Sequence, residues 1–237
     1  MSFTTWTPPA VSSSAFAWRR EVWRLVEAQH VAATMKLVDS RVEQDVLEAL
    51  LERSKPAPPR HTAGLDYLLA TPFRYAPKQY GSRFRAPTDP GVFYGAESVT
   101  TAGAELGYWR WKFLVDAVDL ERIEPVAHTA FRVEVATSVV DLQRPPFAAD
   151  AAVWEHKTDY APTQRLARVA REANVGGILY RSVRAPHPSW CLALLSPTGF
   201  AALAPHDEQQ TWFMAVSRHG VTLRRDTASM QFSAAGW

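Results

Sequence analysis

The chain has a single cysteine, Cys191, among its 237 residues. One thiol excludes an intrachain disulfide framework and a zinc site built from several thiolates. No stretch approaches the roughly 20 consecutive apolar residues of a membrane-spanning helix, and residues 1–17 lack a basic segment followed by an apolar run. We therefore expect a cytoplasmic protein without a membrane partner.

The sequence also lacks a strong charge of either sign. Lys and Arg number 26 against 24 Asp and Glu, the formal net charge is +2, and the basic residues are scattered. A protein that binds nucleic acid directly is therefore not indicated. Apolar residues make up 47% of the chain and charged residues 21%, a composition that is typical of a globular domain and excludes a mostly disordered chain.

Several common catalytic signatures are missing. The sequence has no Gly-rich loop ending in Lys-Ser or Lys-Thr, no G-x-G-x-x-G, no G-x-S-x-G and no H-E-x-x-H. Its seven histidines share no metal-ligand spacing. We therefore expect no metal site.

The N-terminal part of the chain predicts a helical extension. Residues 1–17 are rich in Ser, Thr, Pro and Ala without apolar periodicity, which indicates a flexible lead-in or one that docks loosely on the domain. Residues 18–55 carry apolar residues at three- and four-residue spacings, which predicts two amphipathic helices. The proline-rich segment that follows Lys55 cannot continue a helix, so we place a boundary there.

Residues 56–237 read as one domain of mixed α+β class. Tyr67–Tyr75 and several later runs look like strands, and Ser98 is a suitable N-cap for a helix that reaches about Val115. Helices and strands alternate without a strict repeat, which favours a mixed β core with flanking helices.

One segment, residues 71–110, combines side chains that suit a ligand site. Arg74, Arg83 and Arg85 precede a short strand that contains Tyr94. Arginine binds two phosphate oxygens at once through its planar donors, although an arginine in a loop is more often solvated surface. The cluster is therefore a candidate for holding a phosphorylated ligand.

Glu105 lies on the helix that follows this strand. At about 100° per residue it falls at the edge of an apolar stripe that contains Ala102, Leu106, Trp109 and Phe113. Because burying a charge is costly without a partner or a function, Glu105 is a better site candidate than most acidic residues of the chain. A partly exposed carboxylate paired with a basic residue fits the spacing equally well.

Ser182 ends a strand-like run near Gly177, beside Arg181 and ahead of Arg184. A serine at the end of a strand more often bonds to the backbone than takes part in catalysis. The residues alone therefore leave its role open.

Together these segments resemble the RES family, which is named for its Arg, Glu and Ser residues. The resemblance covers about Leu68 to Ala202 and rests on the segments PFRY, GSRFR, PGVFYGAES, AELGYWR, DYAPTQ and ILYRSVR. Their order and spacing are specific, because eleven positions separate Arg83 from Tyr94 and eleven more separate Tyr94 from Glu105.

The resemblance implies the toxin of a bacterial toxin–antitoxin pair, with an ADP-ribosyltransferase-like fold and NAD as a substrate rather than a resident cofactor. Members of the family cleave NAD by hydrolysis or phosphorolysis, and ADP-ribosyl transfer to a protein is the alternative. An Xre-like antitoxin is the implied partner, and either a homo-oligomer or a toxin–antitoxin complex is open. A non-catalytic nucleotide-binding module is a further alternative.

Carried over residue by residue, the resemblance implies a catalytic set of Arg83, Tyr94, Glu105 and Ser182. It also implies that NAD is bound by Arg74 together with Arg83, Tyr94 and Ser182. GSRF stands where many relatives have Gly-Gly-Arg-Trp-Asn, so Arg83 matches the pattern while its neighbours depart from it.

Overall fold

An eight-stranded sheet organises the chain in the computed structural model, which describes residues 5–28, 40–54, 56–57, 59–75 and 81–237. The strand order is β1-β2-β5-β4-β3-β6-β7-β8, and β1 also pairs with β3. The strands are β1 (Phe16–Glu27), β2 (Phe93–Ala96), β3 (Arg122–Asp141), β4 (Gly177–Arg181), β5 (Trp190–Leu194), β6 (Gln210–Ser217), β7 (Gly220–Arg225) and β8 (Ala228–Ser233). The helices are α1 (Pro8–Ser13), α2 (Arg41–Ser54), α3 (Tyr67–Arg74), α4 (Val99–Asp116), α5 (Ala151–Trp154) and α6 (Ala161–Glu172).

The long strand β3 is the centre of this sheet. Phe131, Val133 and Val135 are fully buried, while the alternating Arg132 and Glu134 are half-buried and pair with charged neighbours. This period of two is the pattern of a strand with one face in the core. β3 pairs with β1, β4 and β6. It therefore joins strands β1, β2, β4 and β5 to strands β6, β7 and β8. The mixed α+β prediction is confirmed.

The helix predicted from Trp18 is wrong for residues 18–27, which belong to β1. This strand pairs antiparallel with β3 along its whole length, from Phe16 opposite Val139 to Glu27 opposite His128. Twelve residues rich in aromatic and β-branched side chains gain more from that pairing than from an isolated helical turn. The second predicted helix of this region is confirmed as α2. The N-terminal region is therefore helical only in part, because β1 belongs to the main sheet.

Residues 8–13 of the predicted lead-in form the short helix α1, so a flexible lead-in is wrong for them. Val11 of α1 is fully buried, and α1 packs against α6. Trp6, just ahead of the helix, stacks on Phe147 with 4.2 Å between ring centroids. The contacts of Val11 and Trp6 hold this segment to the domain. Single apolar residues of this kind leave no periodic pattern in the sequence.

The strand predicted at Tyr67–Tyr75 is also wrong, since Tyr67–Arg74 form helix α3. Asp66 is the N-cap, and its carboxylate accepts a hydrogen bond of 2.8 Å from the Leu68 amide. The cap satisfies an amide that has no partner within the helix, which favours helix over strand at this position.

Helix α4 begins where the sequence predicts, with the Ser98 hydroxyl accepting from the Thr101 amide at 3.1 Å. The apolar stripe is only partly buried, because Trp109 and Phe113 are 43% and 58% exposed. The side of α4 that faces the sheet contains Gly107, which lies close to Val221 of β7. Glu105 is two positions from Gly107, about 200° around the helix, so it lies on the other side of α4, where it lines a cavity.

Candidate active site

A cavity of about 220 Å³ lies between α4, strands β1, β2 and β5, and the turn before β2. Three of the predicted site residues, Arg83, Tyr94 and Glu105, line it. Ser182 does not line the cavity but forms a hydrogen bond with Glu105. The other lining residues are mostly apolar or aromatic, and they are Trp23, Arg24, Leu25, Ser82, Gly95, Ala96, Ala102, Leu106, Trp109, Tyr160, Tyr180 and Cys191.

Glu105 is fixed by a hydrogen bond from Ser182. The Ser182 hydroxyl donates to Oε1 of Glu105 over 2.6 Å. The same oxygen of Ser182 accepts from the amides of Arg184 and Ala185 at 3.3 and 3.0 Å, so the hydroxyl proton is directed at the carboxylate. Ser182 is only 5% exposed and does not line the cavity, which fits a positioning role.

Burial raises the pKa of Glu105 above its ordinary value of 4.5. The hydrogen bond from Ser182 and the positive charges of Arg83 and Arg184 oppose this rise, but desolvation is the larger effect. A carboxylate in this setting gains from any positive charge that comes into the cavity beside it.

Arg83 belongs to the turn before β2 and is 8% exposed. Its Nη1 donates to the carbonyls of Trp154 and His156 at 2.8 and 2.9 Å, and its guanidinium lies 4.7 Å from the ring centroid of Tyr160. Main-chain acceptors and a cation–π contact therefore hold the cation in one orientation.

The N-terminal turn of α6 holds the turn that carries Arg83. The Thr163 hydroxyl donates to the Arg83 carbonyl, and Nε2 of Gln164 donates to the Ser82 carbonyl at 2.9 Å. Gly81 permits the close approach, because a Cβ at that position would lie 2.1 Å from the Arg85 carbonyl oxygen. The sequence segments GSRFR and DYAPTQ are thus two sides of one structural unit.

Tyr94 supports the same turn from β2. Its hydroxyl shares a hydrogen bond of 2.6 Å with the Ser82 hydroxyl and accepts from the Phe84 amide at 3.0 Å. Burial raises the pKa of Tyr94, so the phenol is neutral near pH 7. The hydroxyl therefore braces the turn, and the ring forms part of the cavity wall.

Arg74 is not brought to this cavity. As the last residue of α3 it donates from Nε to the Pro56 carbonyl at 2.6 Å, and its guanidinium lies 5.9 Å from the ring centroid of Tyr75. The prediction that Arg74 binds the ligand rests on the family resemblance and on the arginine cluster ahead of Tyr94, whereas helix α3 directs the side chain toward Pro56. Arg85 also lies outside, donating to the carbonyls of Tyr75 and Asp89.

Arg24 of β1 is a cavity residue that the sequence reasoning missed. Its Nη1 donates to the Tyr94 carbonyl at 2.8 Å, and its guanidinium lies 4.8 Å from the ring centroid of Phe93. Burial lowers the pKa of Arg24 to about 10, which leaves it charged at neutral pH. No signal in the sequence marks it, because it lies outside the resemblance and in a segment predicted as helix.

Cys191 of β5 lines the cavity but is 1% exposed. Burial raises the pKa of its thiol well above the ordinary value, so the nucleophilic thiolate is not formed at neutral pH. Tyr180 of β4, whose pKa burial also raises, lies beside it. These two groups act as neutral wall residues rather than as bases or nucleophiles.

The structure describes residues 5–28, 40–54, 56–57, 59–75 and 81–237. Within these ranges, no group of three or more His, Cys, Asp or Glu side chains is arranged to hold a metal ion. Within the same residues, no helix has both the length and the apolar character needed to cross a membrane. Among the described residues, the lining of the cavity contains one carboxylate, two guanidinium groups and several aromatic rings.

Comparison with known proteins identifies the family. No protein of curated function matches the sequence. Among solved structures, a chain of the M. tuberculosis MbcT–MbcA toxin–antitoxin complex is similar at 12% sequence identity and a TM-score of 0.46, covering 93% of this chain and 88% of that one. The family model described as the RES domain matches residues 57–215 and includes the cavity residues Arg83, Tyr94 and Glu105 as well as Ser182. The chain belongs to the RES family.

Proposed function

We propose that this RES protein is the toxin of a bacterial toxin–antitoxin pair and that it cleaves the nicotinamide–ribose bond of NAD. The observation that carries the proposal is the carboxylate of Glu105, which lines a small cavity, is held by Ser182 and lies near Arg83. Membership of the RES family supports the same reading.

Cleavage of this bond develops positive charge on the ribose. The bond between ribose C1 and the ring nitrogen breaks with its electron pair going to nicotinamide, which leaves as a neutral molecule. The ribose is then an oxocarbenium-like cation, and a fixed carboxylate stabilises it where it forms. Glu105 in its ionised form has that role in the proposal, and its buried position makes the attraction stronger than in water.

The arginines supply the positive charges of the site. Arg83 and Arg24 are both cavity residues, and guanidinium groups neutralise and orient a pyrophosphate. The aromatic wall, which includes Tyr94 and Trp109, offers flat surfaces for a cationic nicotinamide ring.

The acceptor of the ADP-ribosyl group comes from outside the chain in this proposal. Ser182 is almost fully buried and does not line the cavity, and the Cys191 thiol is held neutral, so neither is placed or activated to attack. Water, phosphate or a protein side chain then takes the ribose, and the last of these makes the protein an ADP-ribosyltransferase at the same site.

A protein that consumes NAD in the cytoplasm depletes its own host. The proposal therefore includes a partner that holds the activity off, an antitoxin of the Xre-like class encoded beside it. Expression of the chain alone is expected to arrest growth with a fall in cellular NAD, and co-expression of the antitoxin is expected to relieve it.

The deciding experiment uses the purified full-length protein and NAD, with release of nicotinamide as the readout. Glu105→Gln keeps size but removes charge, so turnover is expected to fall by about a hundredfold or more, the scale of losing a positioned electrostatic group. Asp116→Asn, an exposed carboxylate on the same helix, is the matched control and is expected to leave turnover unchanged.

Product identification then separates the acceptors. ADP-ribose indicates water, ADP-ribose 1-phosphate indicates phosphate, and a labelled protein indicates transferase activity. Absence of nicotinamide release from the wild-type protein, or turnover of Glu105→Gln within a few-fold of it, contradicts the proposal and favours a nucleotide-binding module.

A further inference from the structure

A second cavity, of about 560 Å³, adjoins the candidate active site. It is formed by the end of β1, the start of α3 and part of α4, and its lining includes Val26, Tyr67, Thr71, Pro72 and Arg110. Arg24 lines both this cavity and the active-site cavity. Arg24 is thus common to the linings of two concave regions.

The active-site cavity alone is too small for a dinucleotide. Its volume of about 220 Å³ falls below the range of roughly 300–1,000 Å³ that is typical of small-molecule sites, whereas the second cavity lies within that range. A dinucleotide with one ribose beside Glu105 must therefore extend out of the first cavity. Because Arg24 lines both cavities, a ligand that reaches Arg24 from the first cavity contacts a residue of the second.

Arg24 retains binding capacity. Nη1 donates to the Tyr94 carbonyl, but Nε is buried and has no hydrogen-bond partner among the residues that the structure describes. Arg24 also forms no ion pair with a carboxylate of those residues. A buried donor without a partner is costly, and an anionic oxygen of a ligand relieves that cost.

The second cavity has the chemistry of a site for a nucleobase and its ribose. Tyr67, at the start of α3, is 56% exposed and presents an aromatic ring for stacking, while Val26 and Pro72 add apolar surface. Arg110 of α4 forms an ion pair with Glu27, and both line the cavity. That pairing neutralises the cavity apart from Arg24, which suits an uncharged nucleoside joined to an anionic linker.

We propose that the second cavity holds the adenosine half of the dinucleotide and that Arg24 binds the pyrophosphate between the two halves. The inference rests on the proposed cleavage of NAD and names how the substrate is held. It assigns a substrate-binding role to β1, which lies ahead of the family match at residues 57–215.

Binding of ADP to the full-length protein, measured by calorimetry, tests this inference without requiring cleavage. ADP carries the adenosine and the pyrophosphate but no nicotinamide ribose. Arg24→Gln and Tyr67→Ala are each expected to weaken ADP binding by about tenfold or more, because one removes a phosphate ligand and the other a stacking surface. Arg20→Gln on the same strand and Phe213→Ala, which removes another exposed ring, are the matched controls and are expected to change it less than twofold.

The second arm compares NAD with nicotinamide mononucleotide, which lacks adenosine. The wild-type protein is expected to use NAD at least about tenfold more efficiently in kcat/KM, and Tyr67→Ala is expected to remove most of that preference while leaving cleavage of the mononucleotide unchanged. A KM effect on NAD with an unchanged kcat distinguishes loss of binding from a structural defect.

The two arms separate the two proposals. If ADP does not bind at millimolar concentration, or binds equally to Arg24→Gln and Tyr67→Ala, the adenosine site is wrong even where NAD is cleaved. If ADP binding is lost in those variants but the wild-type protein releases no nicotinamide, the adenosine site stands and the proposed cleavage fails.

Discussion

Arg83 and Arg24 reach the same cavity from different parts of the chain and are held in contrasting ways. Nη1 of Arg83 is saturated by two main-chain carbonyls, and an aromatic ring covers the guanidinium. Arg24 makes one hydrogen bond to a carbonyl and keeps a buried Nε without a partner among the described residues. The contrast separates an arginine that the fold immobilises from one that keeps an unpartnered donor, which we propose is used by the ligand.

The regions that carry these two arginines are also held by different kinds of contact. The turn with Arg83 is fixed by Thr163, Gln164 and the Tyr94 hydroxyl, so removing one contact affects several others. The strand with Arg24 is fixed by main-chain pairing to β3, which does not depend on its side chains. Side-chain variants are therefore expected to have structural consequences mainly in the turn and binding consequences mainly in the strand.

The largest change in kcat/KM is expected at Arg83, and Arg74 provides the contrast. Arg83→Lys keeps the charge but cannot make both carbonyl contacts with the same geometry, so kcat/KM for NAD is expected to fall by roughly 30-fold, the scale of losing a charged hydrogen bond. Arg74→Lys is expected to stay within about twofold, because Arg74 does not line the cavity. Steady-state kinetics on both variants checks this, and equal losses would place Arg74 at the site.

The next prediction tests whether the N-terminal residues belong to the fold. Val11→Ala in α1 removes buried methyl groups, so the free energy of unfolding is expected to fall by roughly 2 kcal/mol. Ser12→Ala, at an exposed position of the same helix, is the control and is expected to have little effect. Urea unfolding followed by tryptophan fluorescence measures both.

Deletion of residues 1–17 is the stronger version of the same test. A flexible lead-in is dispensable, but this deletion removes Val11 and the first residues of β1, including Phe16 opposite Val139. Loss of stability, and with it loss of toxicity, is therefore expected. A deletion variant as stable as the full chain would restore the interpretation of these residues as an unstructured lead-in.

The sequence predicts the family part of the fold better than the N-terminal part, for a physical reason. Helix α4 has a local signal, the Ser98 cap, and the RES motifs fix the order of Arg83, Tyr94 and Glu105. Strand β1 has no such signal, because its conformation is decided by pairing with β3 more than a hundred residues away, and its apolar spacing fits a helix as well.

The candidate site shows the same limit. Glu105 is recognisable from its helical position, whereas Arg24 becomes a cavity residue only when β1 is placed beside β2. The error at α3 has a comparable consequence for Arg74, since the helix capped by Asp66 turns that side chain toward Pro56. Side chains brought together by long-range pairing leave no local pattern in the sequence.

A smaller effect is expected when the partner of Glu105 is removed. The Ser182 hydrogen bond favours the ionised form, so Ser182→Ala is expected to raise the pKa of Glu105 further and shift the acid limb of the kcat profile to higher pH. Activity at pH 6 is expected to fall by about fivefold and to recover toward alkaline pH. Ser182→Thr keeps a hydroxyl and is the rescue variant; a uniform loss at all pH values would contradict a positioning role.

The smallest effect concerns the stability cost of Glu105 itself. Because burial raises its pKa in the folded state, the ionised carboxylate destabilises the fold at pH values above that raised pKa. Glu105→Gln has no charge to desolvate and still accepts a hydrogen bond from Ser182, so the variant is expected to be more stable by about 1 kcal/mol at pH 7. This gain is expected to shrink as the pH falls through the raised pKa and to vanish below the ordinary value of 4.5, where the wild-type carboxyl is protonated in both states.

Urea unfolding of Glu105→Gln and the wild-type protein across this pH range measures the difference, with the exposed Asp116→Asn as the control. A variant that is less stable than the wild type at pH 7 would mean that attraction to Arg83 and Arg184 outweighs desolvation. Glu105 would then resemble Arg83, because it would be held in place by the fold as a structural ion-pair partner. A stabilised but inactive variant instead places Glu105 with Arg24. Both would then be groups whose burial lowers the stability of the fold and that we propose contact the ligand.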